Sequence, residues 1–278
     1  MIIKDVMYVV VRQPLYFFLG IVLITLGACG SDEDPHFSPE EKEAIIFQLA
    51  EDLAFQEIDE IVLAALTSEN VPEEYIDSRL TSAVVTRSGT FSEGTLTIKF
   101  KGTVDRSGNV RNGQIVMEHV GRWNEPGAHW TIYLVGYSIN EIAIEGTGKV
   151  TVTASTPTTI TLDSELIDGK IVFLNGLVAT RSNHYVLECE GYGYDLLQKV
   201  SVVGDAQGKL RDGSTFQMQI NEALVYNCDK SKVFMATGGR YTARHGDREL
   251  TIEYGDGKCD NIITATRGAA SESFDFFE

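Results

Sequence analysis

Basic residues are scarce: 23 Lys and Arg face 40 Asp and Glu, giving a formal net charge of -17. A balance of that sign repels phosphate backbones, so nucleic acid is excluded as an expected partner. It suits an outer domain that stays off anionic surfaces. Histidine is sparse too. The five are His36, His119, His129, His184 and His245, and none forms a His-x-x-x-His or His-Glu-x-x-His pair. His119 and His129 are expected on opposite faces of neighbouring strands, which argues against a shared metal. No Gly-x-Ser-x-Gly elbow occurs. Gly146-Thr147-Gly148-Lys149 is similar to a phosphate loop, but Ala143 and Val150 stand at its required glycine and hydroxyl positions. A bend or bulge is expected there instead. Neither a cofactor nor an enzymatic activity is expected. The abundant carboxylates leave a glycan-active hydrolase open, because sequence does not fix the separation of two carboxyl groups.

Long apolar runs are also missing. The longest, Leu15 to Leu26, falls short of the about 20 residues that span a bilayer. It follows Lys4 and Arg12 and suits the apolar region of a signal peptide. Leu26-Gly27-Ala28-Cys29 resembles the lipobox cleaved by the lipoprotein signal peptidase. That resemblance implies a signal peptide over 1–28, removal on the amino side of Cys29, and thioether lipidation of Cys29 with further acylation (palmitate-type chains). Gly30 leaves no retention aspartate at the next position, and Ser31-Asp32-Glu33-Asp34 follows. This acidic cluster resembles the export signal of surface lipoproteins in Bacteroidetes; a plain solvated tether over 29–37 is the alternative. The expected location is the outer membrane, with the domain at the cell surface or facing the periplasm. The membrane is engaged through acyl chains at about 0.8 kcal/mol per buried methylene.

The exported part opens on Ser38-Pro39-Glu40-Glu41. A capping serine, a proline at the first helical position and a glutamate three residues on start a helix. Ile46, Leu49, Leu53, Ile58, Ile61, Val62 and Ala65 recur at mostly helical spacing, predicting an amphipathic helix over 38–68. After Pro72 the period becomes two. Leu96, Ile98 and Phe100 alternate with Thr97, Lys99 and Lys101; Phe216, Met218 and Ile220, then Leu250, Ile252 and Tyr254, repeat the pattern. Turn signals at 106–109, 125–127, 168–169, 245–247 and 255–257 separate about twelve strands. Short connections imply antiparallel pairing. The fold class is therefore mainly β, one domain over 72–278, an antiparallel meander forming a β-sandwich or a curved open sheet, with one N-terminal helix. Asp105-x-x-Gly108-x-x-Arg111-x-Gly113 is echoed as Asp205-x-x-Gly208-x-x-Arg211-x-Gly213. Two equivalent loops (105–113 and 205–213) are expected, each with an Asp–Arg pair, and a calcium role is disfavoured by one carboxylate per loop.

Gly102-Thr103-Val104-Asp105, Gly146-Thr147, Asn221 to Cys228, and Tyr254-Gly255-Asp256-Gly257-Lys258-Cys259-Asp260-Asn261 resemble a lipoprotein family common in Bacteroidetes. The resemblance covers most of the exported chain and implies location and fold, not an activity. Thr103 stands where that family often has cysteine, so a bridge made there is absent. Cys228 and Cys259 lie in the family-like segments and are one candidate disulfide, with the pairing left open. Cys189 shares parity with Tyr185 and Leu187 and reads as a buried thiol.

Aromatics give the one hint of recognition. Tyr133 and Tyr137 are spaced to share a strand face, and Tyr192 and Tyr194 repeat the theme. Exposed rings stack on sugars; a strand buried on both faces is the plainer reading. Three functions follow. The first is non-enzymatic binding of a glycan or envelope protein, or a structural role. The second is carriage of a hydrophobic ligand in a curved sheet plugged by the helix. The third is a hydrolase. A cavity lined by apolar residues favours the second.

Overall fold

The computed structural model describes residues 36–67, 77–90, 92–105, 108–191, 199–227 and 235–275. Among the described residues one helix, α1 (Pro39–Thr67), precedes the strands. Its start is a capping box: Glu41 N–H donates to Ser38 Oγ at 3.3 Å and Ser38 N–H to Glu41 Oε2 at 2.9 Å. The strands are β1 (Val84–Gly89), β2 (Glu93–Val104), β3 (Val110–Val120), β4 (His129–Ile139), β5 (Ile142–Ser155), β6 (Thr159–Val172) and β7 (Val178–Glu190). They continue as β8 (Lys199–Lys209), β9 (Thr215–Tyr226), β10 (Gly238–His245), β11 (Arg248–Asp256), β12 (Ile262–Arg267) and β13 (Ala270–Asp275).

All thirteen form one sheet in strict sequence order. Of the two architectures expected, this is the open sheet and not the sandwich. Period-two burial follows the pattern read from the sequence: Leu96, Ile98 and Phe100 on β2 and Phe216, Met218 and Ile220 on β9 are buried. These inner faces and the apolar stripe of α1 make one continuous core. The signal at Asp168-Gly169 is not a turn. Strand β6 runs through it, with Asp168 at φ 52° and the register to β7 shifting between Leu166 and Gly169.

The sheet curls. Adjacent helix residues Lys42 and Glu43 reach Glu272 on β13 and Arg211 in the β8–β9 turn. In a flat sheet those strands stand about 20 Å apart at about 4.8 Å per strand. The curvature has a local cause. Register shifts fall at Gly102, Gly113, Gly146, Gly204 and Gly239, and each of these glycines has positive φ. A bulge inserts one residue on one side of a pair, bending the strand and raising its twist. Gly113 is among the tightest: at φ 85°, a Cβ there meets the Gly136 carbonyl oxygen at 2.1 Å. Gly113→Ala is expected to cost about 2 kcal/mol, more than the roughly 1 kcal/mol of a left-handed residue in open space. Urea unfolding checks this, and a loss below about 0.5 kcal/mol would show that the bulge relaxes freely.

The helix joins the two ends of the meander. At its start Glu41 pairs with Arg267 on β12, Lys42 with Glu272 on β13, and Arg267 lies over the Phe37 ring. At its end the Ala65 carbonyl accepts from Arg87 on β1. Between them Glu57 pairs with Arg111 on β3, and Asp52 with Arg181 on β7.

The sequence echo does not make two equivalent loops. The first copy spans the β2–β3 turn, and Arg111 Nη1 donates to Asp105 Oδ2 at 2.6 Å. In the second copy Asp205 and Gly208 lie inside β8, and the turn comes later, where Leu210 N–H bonds Ser214 O. Gly208 does not need positive φ; a Cβ there would meet the Thr180 carbonyl oxygen at 1.9 Å. Arg211 pairs with Glu43 and lies 3.1 Å from the Phe47 ring centroid instead of meeting Asp205. The echo's common outcome is an arginine turned toward α1.

Candidate functional site

Only part of the helix fills the curl. One face, with Ala54, Ile58, Ile61 and Ala65, is buried. The adjoining stripe, Asp52, Gln56, Asp59, Leu63 and Leu66, follows helical spacing but mixes polar with apolar side chains. Opposite it lie inward residues of β4 to β9, among them Ile132, Val150, Leu162, Val202 and Leu224. A cavity of about 210 Å³ separates the two layers. Gly146 and Gly148 of β5 line it and present no side chain, which keeps that wall thin. The motif similar to a phosphate loop is thus a bulged strand in a cavity wall.

The polar groups in the cavity differ in their partners. Arg181 pairs with Asp52, its Nη2 donates to the Tyr185 hydroxyl at 2.6 Å, and its guanidinium lies 5.6 Å from the Phe216 ring centroid. Glu60 pairs with Arg79 at 3.2 Å. Asp59 is different: its side chain is exposed, and it stands at the cavity with protein around it on most sides. Loss of bulk solvation, with the neighbouring Glu60 charge, raises its carboxyl to about 7. Just outside the cavity, burial raises Glu51 to about 8 although Arg181 and Arg211 oppose the shift, and its Oε1 has no hydrogen bond.

The expected aromatic ledge is not built on β4. Tyr133 is 38 % exposed, whereas Tyr137 is 1 % exposed and packs its ring 5.7 Å from that of Phe100. The bulge at Gly136, φ 57°, shifts the parity, so two tyrosines four residues apart fall on opposite faces. Tyr192 and Tyr194 lie outside the described residues, as do Cys29, Ser31 to Asp34 and Cys228. Cys259 is disulfide-bonded. Cys189 is a buried thiol in the cavity wall.

His119 sits opposite Trp130 and Val120 opposite His129, which puts the two histidines on opposite faces. Asp163, Glu165 and His184 bring donor atoms within 4.8 Å of one another on the outer face. Both Asp163 oxygens lie 3.1 Å from His184 Nε2, and that hydrogen bond raises the imidazole pKa. It favours the protonated ring over the neutral one that ligates metals.

No family model, curated protein or solved structure matches the chain. Sequence reasoning named a curved sheet plugged by a helix but not the residues of the cavity. Their one signal was the break of the apolar stripe of α1 by Asp52, Gln56 and Asp59.

Proposed function

We propose that the chain is an envelope lipoprotein, acylated at Cys29, that takes up a small apolar ligand between α1 and the curved sheet. The observation that carries this reading is the cavity: a space of about 210 Å³ with mostly apolar walls in an otherwise packed core. A closed apolar void of roughly 150 Å³ accepts benzene, so this one accommodates a single alkyl chain or ring and not a multi-chain lipid. The lipobox and the resemblance to Bacteroidetes lipoproteins support the location, and Ser31 to Asp34 supports display at the surface.

Filling the cavity tests the binding role. Leu162 lines it and is partly buried. Leu162→Trp in the full chain is expected to weaken uptake of the neutral dye N-phenyl-1-naphthylamine at least tenfold without changing the circular dichroism. Equal uptake by both proteins would place the dye elsewhere and remove the basis for a ligand carrier.

The location has its own test. In cells making the wild type, radiolabelled palmitate is expected in the protein, and Cys29→Ala is expected to abolish that label. Added protease should digest the domain on intact cells, and alanines at Ser31 to Asp34 should protect it. Retained label in Cys29→Ala would overturn the lipobox. Protection of the wild type would leave the acidic cluster as a tether only.

A further inference from the structure

Three carboxylate residues of α1 line the cavity, Asp52, Asp59 and Glu60, against one guanidinium, Arg181. Arg181 is taken by Asp52, and Glu60 has Arg79. Asp59 is left over. Among the described residues no hydrogen bond or ion pair engages its carboxylate, and the one charge that acts on it, Glu60, has its own sign. It projects from the middle of α1 into a space whose other walls are Leu53, Leu63, Leu162, Val202 and similar side chains.

A carboxylate without a partner beside apolar walls gains most from a cation that brings its own apolar body. We propose that the ligand is a cationic amphiphile: a single alkyl chain in the cavity with a primary ammonium group against Asp59. This rests on the apolar-ligand reading above and adds the head group. The cavity holds one chain, the unpaired acid sits in its wall, and the one basic side chain there, Arg181, already has Asp52 as its counter-ion. Fatty acids, the commonest single-chain amphiphiles, are therefore disfavoured by charge. Neutral alcohols gain only a hydrogen bond.

The experiment is calorimetric titration of the full chain in nanodiscs at pH 8 with octylamine, octanol and octanoate. Discs carrying the Leu162→Trp protein serve as the blank for partitioning into lipid. Octylamine is expected to bind at least tenfold tighter than octanol, and octanoate not to bind above the blank. Asp59→Asn should bring octylamine to the level of octanol while leaving octanol unchanged. Because Asp59 is open to the cavity and engages no neighbour, that variant is expected to fold as the wild type does, which circular dichroism checks. Equal binding of octylamine and octanol, or octylamine binding that survives Asp59→Asn, overturns the ammonium assignment alone. If none of the three exceeds the blank, the apolar-ligand reading falls with it.

Discussion

Arg111→Ala is expected to destabilise the domain by about 3–5 kcal/mol, a large share of the about 5–15 kcal/mol that holds a typical domain folded. The side chain is 1 % exposed. Its Nη1 donates to Asp105 Oδ2 and its Nη2 to Glu57 Oε1, so one guanidinium ties the β2–β3 turn to the helix. Burial alone would raise Asp105, but Arg111 and the Asn109 backbone N–H hold its carboxyl below the usual range. For Glu57 burial outweighs Arg111 and Arg79, and its pKa stays raised. Removing Arg111 leaves two enclosed carboxylates without their shared cation, and that, more than the lost hydrogen bonds, sets the magnitude. Adding Glu57→Gln should restore part of the loss, because a neutral amide tolerates the buried site better than a carboxylate left with only Arg79, 3.8 Å away. Urea unfolding of the two single variants and the double variant measures the coupling, expected at more than about 1.5 kcal/mol. A loss below about 1 kcal/mol in Arg111→Ala would show that the network contributes little.

The second large effect depends on pH. Glu51 is raised from 4.5 to about 8, chiefly by burial, with Arg181 and Arg211 pulling the other way. Asp59 is raised from 3.8 to about 7. A carboxyl whose folded pKa exceeds its unfolded pKa binds more protons in the native state. Stability therefore falls as pH rises through the interval between the two values. The contribution is complete below about pH 4.5 and lost by about pH 8. Each unit of difference is worth about 1.4 kcal/mol. For Glu51, which is buried, about 3 kcal/mol is a discounted expectation. The wild-type domain should thus melt at a higher temperature at pH 5.5 than at pH 8. Glu51→Gln should raise the melting temperature at pH 8 by several degrees, change it little at pH 5.5, and flatten the slope between. A wild-type slope of opposite sign would mean that other groups dominate, and an unchanged slope in Glu51→Gln would assign the dependence elsewhere.

Much of the fold was legible because each strand pairs with its neighbour in sequence. With one face buried, parity alone sorts Leu96, Ile98 and Phe100 from Thr97 and Lys99. The capping box was legible for the same local reason, since Ser38 and Glu41 satisfy each other within one turn. So was the pairing of Asp105 with Arg111, six residues apart. What failed depended on bulges. One extra residue at Gly136 reverses parity, and Tyr137 then enters the core while Tyr133 stays out. The Asp168-Gly169 signal looked like a turn because turns and bulges need the same backbone. The cavity was hidden for another reason. Whether Asp52, Gln56 and Asp59 meet solvent or an inner space depends on how far the sheet closes, which is a sum of many small bends that no local pattern reports.

The helix that bridges both ends of the meander sets the order of assembly. Every strand–strand contact joins neighbours in the chain, so the sheet closes only short loops and is expected to grow by addition along the sequence. The contacts of Phe37 and Lys42 with Glu272, and of Glu41 with Arg267, join residues 226 to 235 positions apart. They wait for the last strand to exist. During synthesis the helix is made before the strands; its C-terminal end meets β1 through Ala65 and Arg87, 22 residues apart, but its N-terminal end seats last. Until then the inner face of the growing sheet stands open, so aggregation competes with folding in the interval before the C-terminal strands arrive.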